Sequence, residues 1–537
     1  MLKQQVCLIT PPSVFLLDER VFMSLGILRV AAVLEQQGFV VEMLDLSGVA
    51  NFRDAVRDHA SASSATIFGL TATSPQMPAA LQVRDAIREV RPDARIILGG
   101  PHITLVNAAR KKLDQSTQGR ASRAFEKLSS SFDVLVAGDG EDAIFQAIAA
   151  DSPRLVDADD PRSSMFLTSS RLETLQWPAR HLVDASSYHY SIDGVRAMSL
   201  ICQLGCPFGC RFCGGRESPS LRRVRLRSAE SVVAEISHLH ATYGVTGFML
   251  YDDELNVNPK MSELMRAIAQ RARDLGVEFR LRGFIKAELF TDEQAEAMYN
   301  AGFRWILTGF ESGSPRILRN INKRATLEDN TRCVEIAHRH GMKVKALMST
   351  GHPGESEQTV RETYQWLLDA RPDDFDITII SVYPGSPYYD QAVREPSTQD
   401  VWVYTVNGDR LFSYELDFTT VADYYKGDPE GGYTSYVYTD YLKAEDLVAL
   451  RNFVESDVRR KLGIPFNSSA AAIRYEHSMG QIGSLPNHIL RRTTPGEMPA
   501  SFDQPTDAAA RVGSVGEKVA AVSAGAGLVT LQHPAQQ

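Results

Sequence analysis

The sequence has no run of the ~20 consecutive apolar residues that a membrane-spanning helix requires. Its opening, Met1-Leu-Lys-Gln-Gln5, leads into a strand-like segment instead of the apolar core of a signal peptide. These absences predict a cytoplasmic protein without a membrane partner. Positive charge is not in excess either: Lys and Arg number 57 against 66 Asp and Glu, a net charge of −9, which removes the footprint expected of a nucleic-acid binder. Cysteine is scarce, with six in 537 residues, and Cys7, Cys202 and Cys333 stand alone. That excludes a disulfide framework and fits a reducing compartment. No G-x-G-x-x-G follows the first strand, which argues against a nicotinamide or flavin dinucleotide. Length is what the chain does have: 537 residues exceed one hydrophobic core and predict two or three domains.

The remaining cysteines are concentrated in Cys206-Pro-Phe-Gly-Cys210-Arg-Phe-Cys213, spaced C-x3-C-x2-C after the apolar run 197–204. Three thiolates hold three irons of a cubane [4Fe–4S] cluster and leave the fourth iron open to a small molecule, whereas electron-transfer clusters use four. A tetrahedral zinc site would need Cys202 as its fourth thiolate. Zinc sites usually pair two close cysteine knuckles across a longer gap, however, and Cys202 reads as a small buried residue of the strand. The spacing, with Phe212 just before the third cysteine, resembles the signature of the radical S-adenosylmethionine (SAM) superfamily. That resemblance implies that Cys206, Cys210 and Cys213 hold the cluster, that Phe212 lies near SAM, and that SAM chelates the open iron and is cleaved to a 5′-deoxyadenosyl radical.

Residues 1–150 alternate short apolar strands, near Gln5, Phe39, Thr66, Arg95 and Asp133, with helical patterns such as 25–37 and 79–90. This alternation predicts an α/β fold, a doubly wound Rossmann-like domain with a parallel sheet covered on both faces. Ligands of such sheets lie beyond the carboxyl ends of the strands. Those ends read Thr71-Ala-Thr-Ser-Pro-Gln76, Gly99-Gly-Pro-His102 and Gly138-Asp-Gly-Glu141. Glycines there let a bulky ligand approach the backbone, although many such domains use them for steric reasons alone. Together with Pro11-Pro12 and Ser24-Leu-Gly-Ile27, and upstream of the cysteine motif, these turns resemble the cobalamin-binding domain of class B radical SAM enzymes. The resemblance implies cobalamin contacts from Thr71, Ser74, Gln76, Gly99, Gly100, His102, Gly138, Gly140 and Glu141. The D-x-H-x-x-G motif, whose histidine ligates cobalt in mutases and methionine synthase, is missing. Its absence implies a cobalamin with its tail base displaced and no histidine beneath the metal, the loop from Thr73 to Met77 running under the corrin. His102 is read as a turn cap or a corrin-amide contact.

Residues 105–130 read as a polar helical insertion, and 151–195 as a linker broken by Pro153, Pro161 and Pro178. From 196 to 395, six strand and helix pairs predict a partial (β/α)6 barrel with functional residues at the carboxyl ends of its strands. Asp252, Asp253 and Glu254 stand at one such end. Acids there commonly cap the next helix, but the resemblance implies contact with the ammonium of SAM, a charge-assisted hydrogen bond. Glu311 is similar to the acid that holds SAM's ribose. The turns Gly351-His-Pro-Gly-Glu355 and Val382-Tyr-Pro-Gly-Ser386 either border the adenine or serve structure. Arg222, Arg223, Arg225, Arg227, Lys323 and Arg324 read as solvated charge, with one arginine available to SAM's carboxylate. A third region, 396–467, is dense in aromatics and ends in an amphipathic helix, 442–462, stopped by Gly463. It is expected to be mostly helical or irregular and to close the barrel mouth over the substrate. Residues 468–537, rich in Ala, Gly and Ser without periodicity, are expected to be disordered.

The resemblance implies a cobalamin-dependent radical SAM methyltransferase acting on an unactivated carbon of a small secondary metabolite, as in antibiotic pathways. Its cofactors would be a [4Fe–4S] cluster, SAM and cobalamin, and its partner an external reductant such as flavodoxin or ferredoxin. One SAM would methylate the cobalt and a second would supply the radical. Two other readings stay open: a cobalamin-dependent radical SAM enzyme that cyclises or rearranges without methylating, and a cobalamin-binding sensor or carrier with a structural cluster. Nothing in the sequence names the substrate.

Overall fold

The computed structural model describes residues 4–13, 19–113, 119–398, 400–424 and 433–464; the tail expected to be disordered lies outside the described residues. The first sheet has six parallel strands: β1 (Gln5–Thr10), β2 (Val40–Asp45), β3 (Ile67–Thr71), β4 (Arg95–Gly99), β5 (Val134–Ala137) and β6 (Leu155–Asp157). Their order is β2-β1-β3-β4-β5-β6. The period-2 alternation of β1 explains why both faces are covered. Val6 and Leu8 pack with Ile27, Ala31 and Leu34 of helix α1 (Leu25–Gln36). Cys7 and Ile9 pack with Phe52 and Val56 of α2 (Phe52–Ala62) and with Val83 and Ile87 of α3 (Met77–Val90). Each Val, Leu, Ile or Phe among them, fully buried, contributes about 1.5–3 kcal/mol. Strand order reverses between β1 and β3, and a doubly wound sheet binds its ligand outside the carboxyl ends of strands at such a switch point.

Two features revise the sequence reading of this domain. The polar insertion is a pair of helices, Pro101–Leu113 and Arg120–Ser131, that make the crossover from β4 to β5. The segment read as a linker supplies β6, which pairs Leu135 with Leu155, so the sheet extends past residue 150. A three-residue strand between prolines is too short to show a pattern of its own; its partner in the sheet defines it.

The second sheet has six parallel strands adjacent in chain order: β7 (Val195–Leu200), β8 (Gly247–Leu250), β9 (Arg280–Phe284), β10 (Phe303–Glu311), β11 (Lys343–Thr350) and β12 (Asp374–Ile379). The hairpin strand Ser191–Ile192 adds antiparallel to β7, and the barrel stays open. The connecting helices begin where the sequence offers caps: the Ser228, Thr291, Thr326 and Ser356 side chains accept the Ser231, Gln294, Asp329 and Thr359 amides.

After the barrel, an antiparallel four-stranded sheet precedes the helix Ala444–Leu462. Its central hairpin joins Val401–Val406 to Asp409–Tyr414 through Asn407-Gly408, whose φ angles of 51° and 85° are those a two-residue hairpin turn needs. Asn-Gly between strand-like runs is a strong local signal, masked in the sequence by the density of aromatics around it. Among the described residues no helix is long and apolar enough to cross a membrane.

Candidate active site

The chain leaves β7 through Gln203–Leu204 and enters the loop that carries Cys206, Cys210 and Cys213. Gly205, at φ 87°, makes the entry possible, since a Cβ there would lie 2.1 Å from Arg223 O. The loop is tied down on several sides. Cys206 N donates to Leu221 O (3.1 Å) and Arg211 N to Ile321 O (2.9 Å). Asn322 Nδ2 donates to Gly209 O (2.9 Å), and Arg216 Nη1 to the carbonyls of Cys206 (3.2 Å) and Phe208.

Burial pushes the Cys213 thiol up to about 11 against the pull of Arg216, and it raises Cys206 as well. A ligand metal must therefore displace their protons. The three sulfurs are not all within 4.8 Å of one another, as a single tetrahedral ion would require. Cys202, the only other cysteine nearby in sequence, is buried in the barrel core and its amide donates to Asp252 Oδ1 (2.7 Å). The donor set fits a three-thiolate cubane and does not fit zinc.

The three acids after β8 take different positions. Asp252 Oδ1 accepts from the amides of Cys202 (2.7 Å) and Gln203 (2.8 Å), fastening β8 to the entry of the cysteine loop. Asp253 faces the loop, accepting from the Gly205 amide. Burial pushes the Glu254 carboxyl up to about 7 against the pull of Lys323 and Lys286.

Glu311 stands at a bulge at the end of β10 with φ 66°, a conformation that costs a non-glycine residue about 1–3 kcal/mol and collects at functional sites. Lys323 Nζ (3.2 Å) and Ser349 Oγ (2.7 Å) donate to its carboxylate. Burial raises this carboxyl, but Lys323 and Ser349 outweigh it and hold the group below its usual range. Ser349 spends its one hydrogen on Glu311, so His352 donates Nε2–H to Ser349 Oγ (2.8 Å) and accepts from Tyr388 OH at Nδ1 (3.2 Å). That tautomer is neutral, as burial requires by pushing the imidazole down to about 4. Phe212 packs edge-on against His352 at 5.2 Å.

Three residues read as solvated charge are buried instead. Lys323 joins Glu311, Arg225 pairs with Asp139 of the first domain, and Arg227 pairs with Glu235. Asp139 lies in another domain, and Glu235 and Glu311, 8 and 12 residues away, are brought alongside only by the fold, so a run of basic residues could not disclose them. Arg222, Arg223 and Arg324 are exposed, as expected.

Two cavities meet at this mouth. One, about 620 Å³, lies at the switch point of the first sheet, lined by Thr10 at the end of β1, by Ser13 beyond it, and by Thr73, Ser74 and Gln76 after β3. The other, about 480 Å³, lies inside the barrel, lined by Phe212, Cys213, Glu311, Ser349 and Thr378. Gly214, Tyr251 and Tyr383 form walls of both. A third cavity, about 300 Å³, continues from the first past Gly26, Pro101 and Ile201 into the sheet domain. Thr71, Gly99, Gly100, Gly138, Gly140 and Glu141 line it together with Arg29. Of the residues predicted to touch cobalamin, only His102 is on neither wall. It is buried, held neutral by burial that pushes it down to about 4, and its Nδ1 bonds Ser74 Oγ (2.9 Å) from behind the loop.

A B12 binding domain family matches residues 19–129, and the Radical SAM superfamily matches residues 200–367. The chain belongs to the cobalamin-binding radical SAM enzymes. Within this class B radical SAM fold, it is similar to a radical S-adenosylmethionine methyltransferase from Kitasatospora setae solved with cobalamin and a [4Fe–4S] cluster. Identity there is 19% and the TM-score 0.59, over 86% of this chain and 89% of that one. It is also similar to the cobalamin-dependent S-adenosylmethionine radical enzyme OxsB, with 17% identity and a TM-score of 0.53 over 70% and 53% of the two chains. In sequence it is 27% identical over 334 residues to an uncharacterized methyltransferase of Pyrococcus horikoshii, covering 61% of this chain and 69% of that protein. It is 25% identical over 347 residues to the anaerobic magnesium-protoporphyrin IX monomethyl ester cyclase of Rubrivivax gelatinosus, covering 63% and 60%.

The cofactors of this radical SAM enzyme are a [4Fe–4S] cluster, SAM and cobalamin, and the residues present fit each. The thiol triad suits the cluster. The wide switch-point cavity with a narrow extension lined by glycines suits a corrin and its displaced tail. At Gly138, φ 88°, a Cβ would sit 2.5 Å from Asp159 N, so the turn under that extension admits no side chain. Sequence reasoning missed Tyr251 and Ser349, and named Tyr383 only as part of the turn Val382–Ser386. Ser349 was within reach, because alternation along β11 puts Lys345, Leu347 and Ser349 on one face and leaves a hydroxyl at the carboxyl end.

Proposed function

We propose that this enzyme methylates a carbon of a small secondary metabolite, using SAM and cobalamin. The observation that carries the reading is the shared wall: a substrate against Gly214, Tyr251 and Tyr383 borders the switch-point cavity on one side and the cavity beside the cysteine loop and Glu311 on the other. With both cofactors in place, the cluster would supply the electron that cleaves SAM and the cobalamin would carry the methyl group. The chain's own contribution is position and dryness. Glu311, held ionised by Lys323 and Ser349, suits the ribose hydroxyls of SAM, and Asp253 and Glu254 suit its ammonium. Phe284, Leu307, Leu347 and Ile379 keep water from the barrel cavity. Holding reactants in line in this way is worth up to ~7–11 kcal/mol of a barrier.

A relative named bacteriochlorophyllide d C-12(1)-methyltransferase, from Chlorobaculum tepidum, 27% identical over 193 residues, supports transfer to carbon. The cyclase relatives favour a second reading, in which the same cofactors close or rearrange a ring without methyl transfer. In either reading an external protein reductant feeds the cluster.

The test is product analysis after anaerobic reconstitution with iron, sulfide, cobalamin, SAM and a strong reductant. S-adenosylhomocysteine that forms only when cobalamin is present supports methyl transfer. 5′-Deoxyadenosine without S-adenosylhomocysteine moves the second reading to the front. Neither product, from protein carrying both cofactors, overturns the enzyme reading. Cys210→Ala should abolish 5′-deoxyadenosine while cobalamin stays bound.

A further inference from the structure

The first sheet carries a second set of metal-ligating side chains, outside both cofactor cavities. Cys7 of β1, Glu42 of β2 and His59 of α2 come from three elements, with Cys7 and Glu42 direct register partners. Among the described residues, this is the His/Cys/Asp/Glu group whose ligand atoms all lie within 4.8 Å of one another. One atom is the meeting point: His59 Nε2 is 3.5 Å from Cys7 Sγ and 2.9 Å from Glu42 Oε2.

Hydrogen bonding alone leaves this arrangement unbalanced. A ring nitrogen carries either a hydrogen or a lone pair. With the hydrogen, Nε2 donates to the carboxylate, and the buried thiol beside it finds nothing there to accept its S–H. With the lone pair, Nε2 accepts from the thiol and faces an ionised carboxylate with no proton between them. A cation at the centre would use all three lone pairs at once.

We propose that Cys7, Glu42 and His59 bind a zinc ion, with water in the fourth position. Thiolate, imidazole and carboxylate are zinc's ligand types, and Zn–S of about 2.3 Å with Zn–N of about 2.0–2.1 Å at a tetrahedral angle puts sulfur and nitrogen about 3.5 Å apart. The observed separation is 3.5 Å. The nitrogen–oxygen edge need open only by about 0.4 Å to reach the tetrahedral value for bonds of about 2.0 Å. The carboxylate is already oriented from behind, as ligating groups in metal sites are: Gln5 Nε2 donates to Oε1 and Ser63 Oγ to Oε2 (2.7 Å). The imidazole and carboxylate are 31% and 24% exposed, which gives the ion a way in and leaves room for the water. On binding, Cys7 gives up its proton to solvent, and thiolate and carboxylate together neutralise the dication, so no net charge is buried. The ion would clip the edge strand β2 and helix α2 to β1.

The experiment uses the full-length protein with cluster and cobalamin loaded, its iron and sulfide verified so that the cluster cysteines are occupied. After equilibration with zinc and desalting, metal analysis should find about one zinc per chain, and zinc K-edge absorption should show one sulfur at about 2.3 Å among nitrogen and oxygen neighbours. Cys7→Ser should lose the sulfur shell and most of the zinc. His59→Gln, at a half-exposed position that leaves the core intact, should lose most of the zinc while iron and cobalamin contents stay unchanged. No retained zinc in the loaded wild type overturns the proposal. So does zinc that survives both substitutions, since that metal is bound elsewhere.

Discussion

Lys323 and Glu311 are largely buried, with side-chain exposures of 5% and 13%, and Nζ lies 3.2 Å from Oε1. At an effective dielectric of ~20, unit charges at that separation attract by about 5 kcal/mol. Desolvation offsets most of it, so the pair is a weak net stabiliser, whereas removing one partner strands the other charge at a cost of about 3–5 kcal/mol. Lys323→Met and Glu311→Gln should each destabilise the barrel mouth by that amount, and the double variant by clearly less than the sum of the two. A chain with several cores need not unfold in one step, so the assay is local: hydrogen exchange of peptides spanning Phe303–Glu311 and Lys343–Thr350. Glu311 lies below its usual range, and its contribution is lost as pH falls through that lowered value. Burial lowers Lys323, but Glu311, Cys210 and Glu254 outweigh it and hold it above its usual range, so its contribution is lost as pH rises through that raised value. Lys323 also attracts Glu254, whose carboxyl burial pushes up to about 7, so the penalty for Lys323→Met should grow as pH rises through about 7 and then hold up to about pH 9, below the ordinary lysine value. Additive single effects, or a loss below about 1 kcal/mol for Lys323→Met, would refute the account, because a pair buried this far cannot behave like an exposed one.

Gly138→Ala forces a Cβ to within 2.5 Å of Asp159 N at φ 88°, on the wall of the narrow cavity; cobalamin affinity measured by equilibrium dialysis should fall about tenfold or more, at least 1.4 kcal/mol. Burial pushes the Glu355 carboxyl up to about 7 against donation from Thr359 Oγ1 and the Gly351 amide. A folded value above the unfolded one costs stability as pH rises between the two, so Glu355→Gln should flatten the loss of hydrogen-exchange protection in the peptide Lys343–Thr350 from about pH 5 to about pH 7. Arg319 and Arg324 are exposed around a surface hollow shared with Asn322, which bonds Gly209 of the cysteine loop. Charge reversal of both should slow cluster reduction by an acidic protein donor such as flavodoxin, most at low salt, and leave reduction by dithionite unchanged; equal effects on both donors would remove these arginines from docking.

What the sequence disclosed and what it hid divide along one line. Cys206, Cys210 and Cys213 were legible because one loop holds all three, and chain spacing there is spatial spacing. The turns after β3, β4 and β5 were legible because doubly wound sheets put ligands at strand ends. His102 follows one of those turns as the second residue of the helix Pro101–Leu113, and its side chain points back to Ser74, an orientation no turn motif encodes. Arg225 and Lys323 were misread because their fates depend on Asp139 and Glu311, which only the tertiary fold delivers. Cys7, Glu42 and His59 have no spacing signature for the same reason: 52 and 17 residues separate the bonded pairs. The residues proposed to border the substrate fall on the hidden side of this line. Tyr251 follows β8 and Tyr383 follows β12, and they meet only because the barrel curls them toward one opening. The cysteine loop has its carbonyls and amides already engaged, so a change there is paid in cluster binding. Tyr251, in ring contact with Phe22 and Phe284, and Tyr383, in ring contact with Phe418 and Tyr424, line both cavities, and under the proposed function exchange of those rings should alter which carbon is presented while the hydrogen bonds of the cysteine loop are kept.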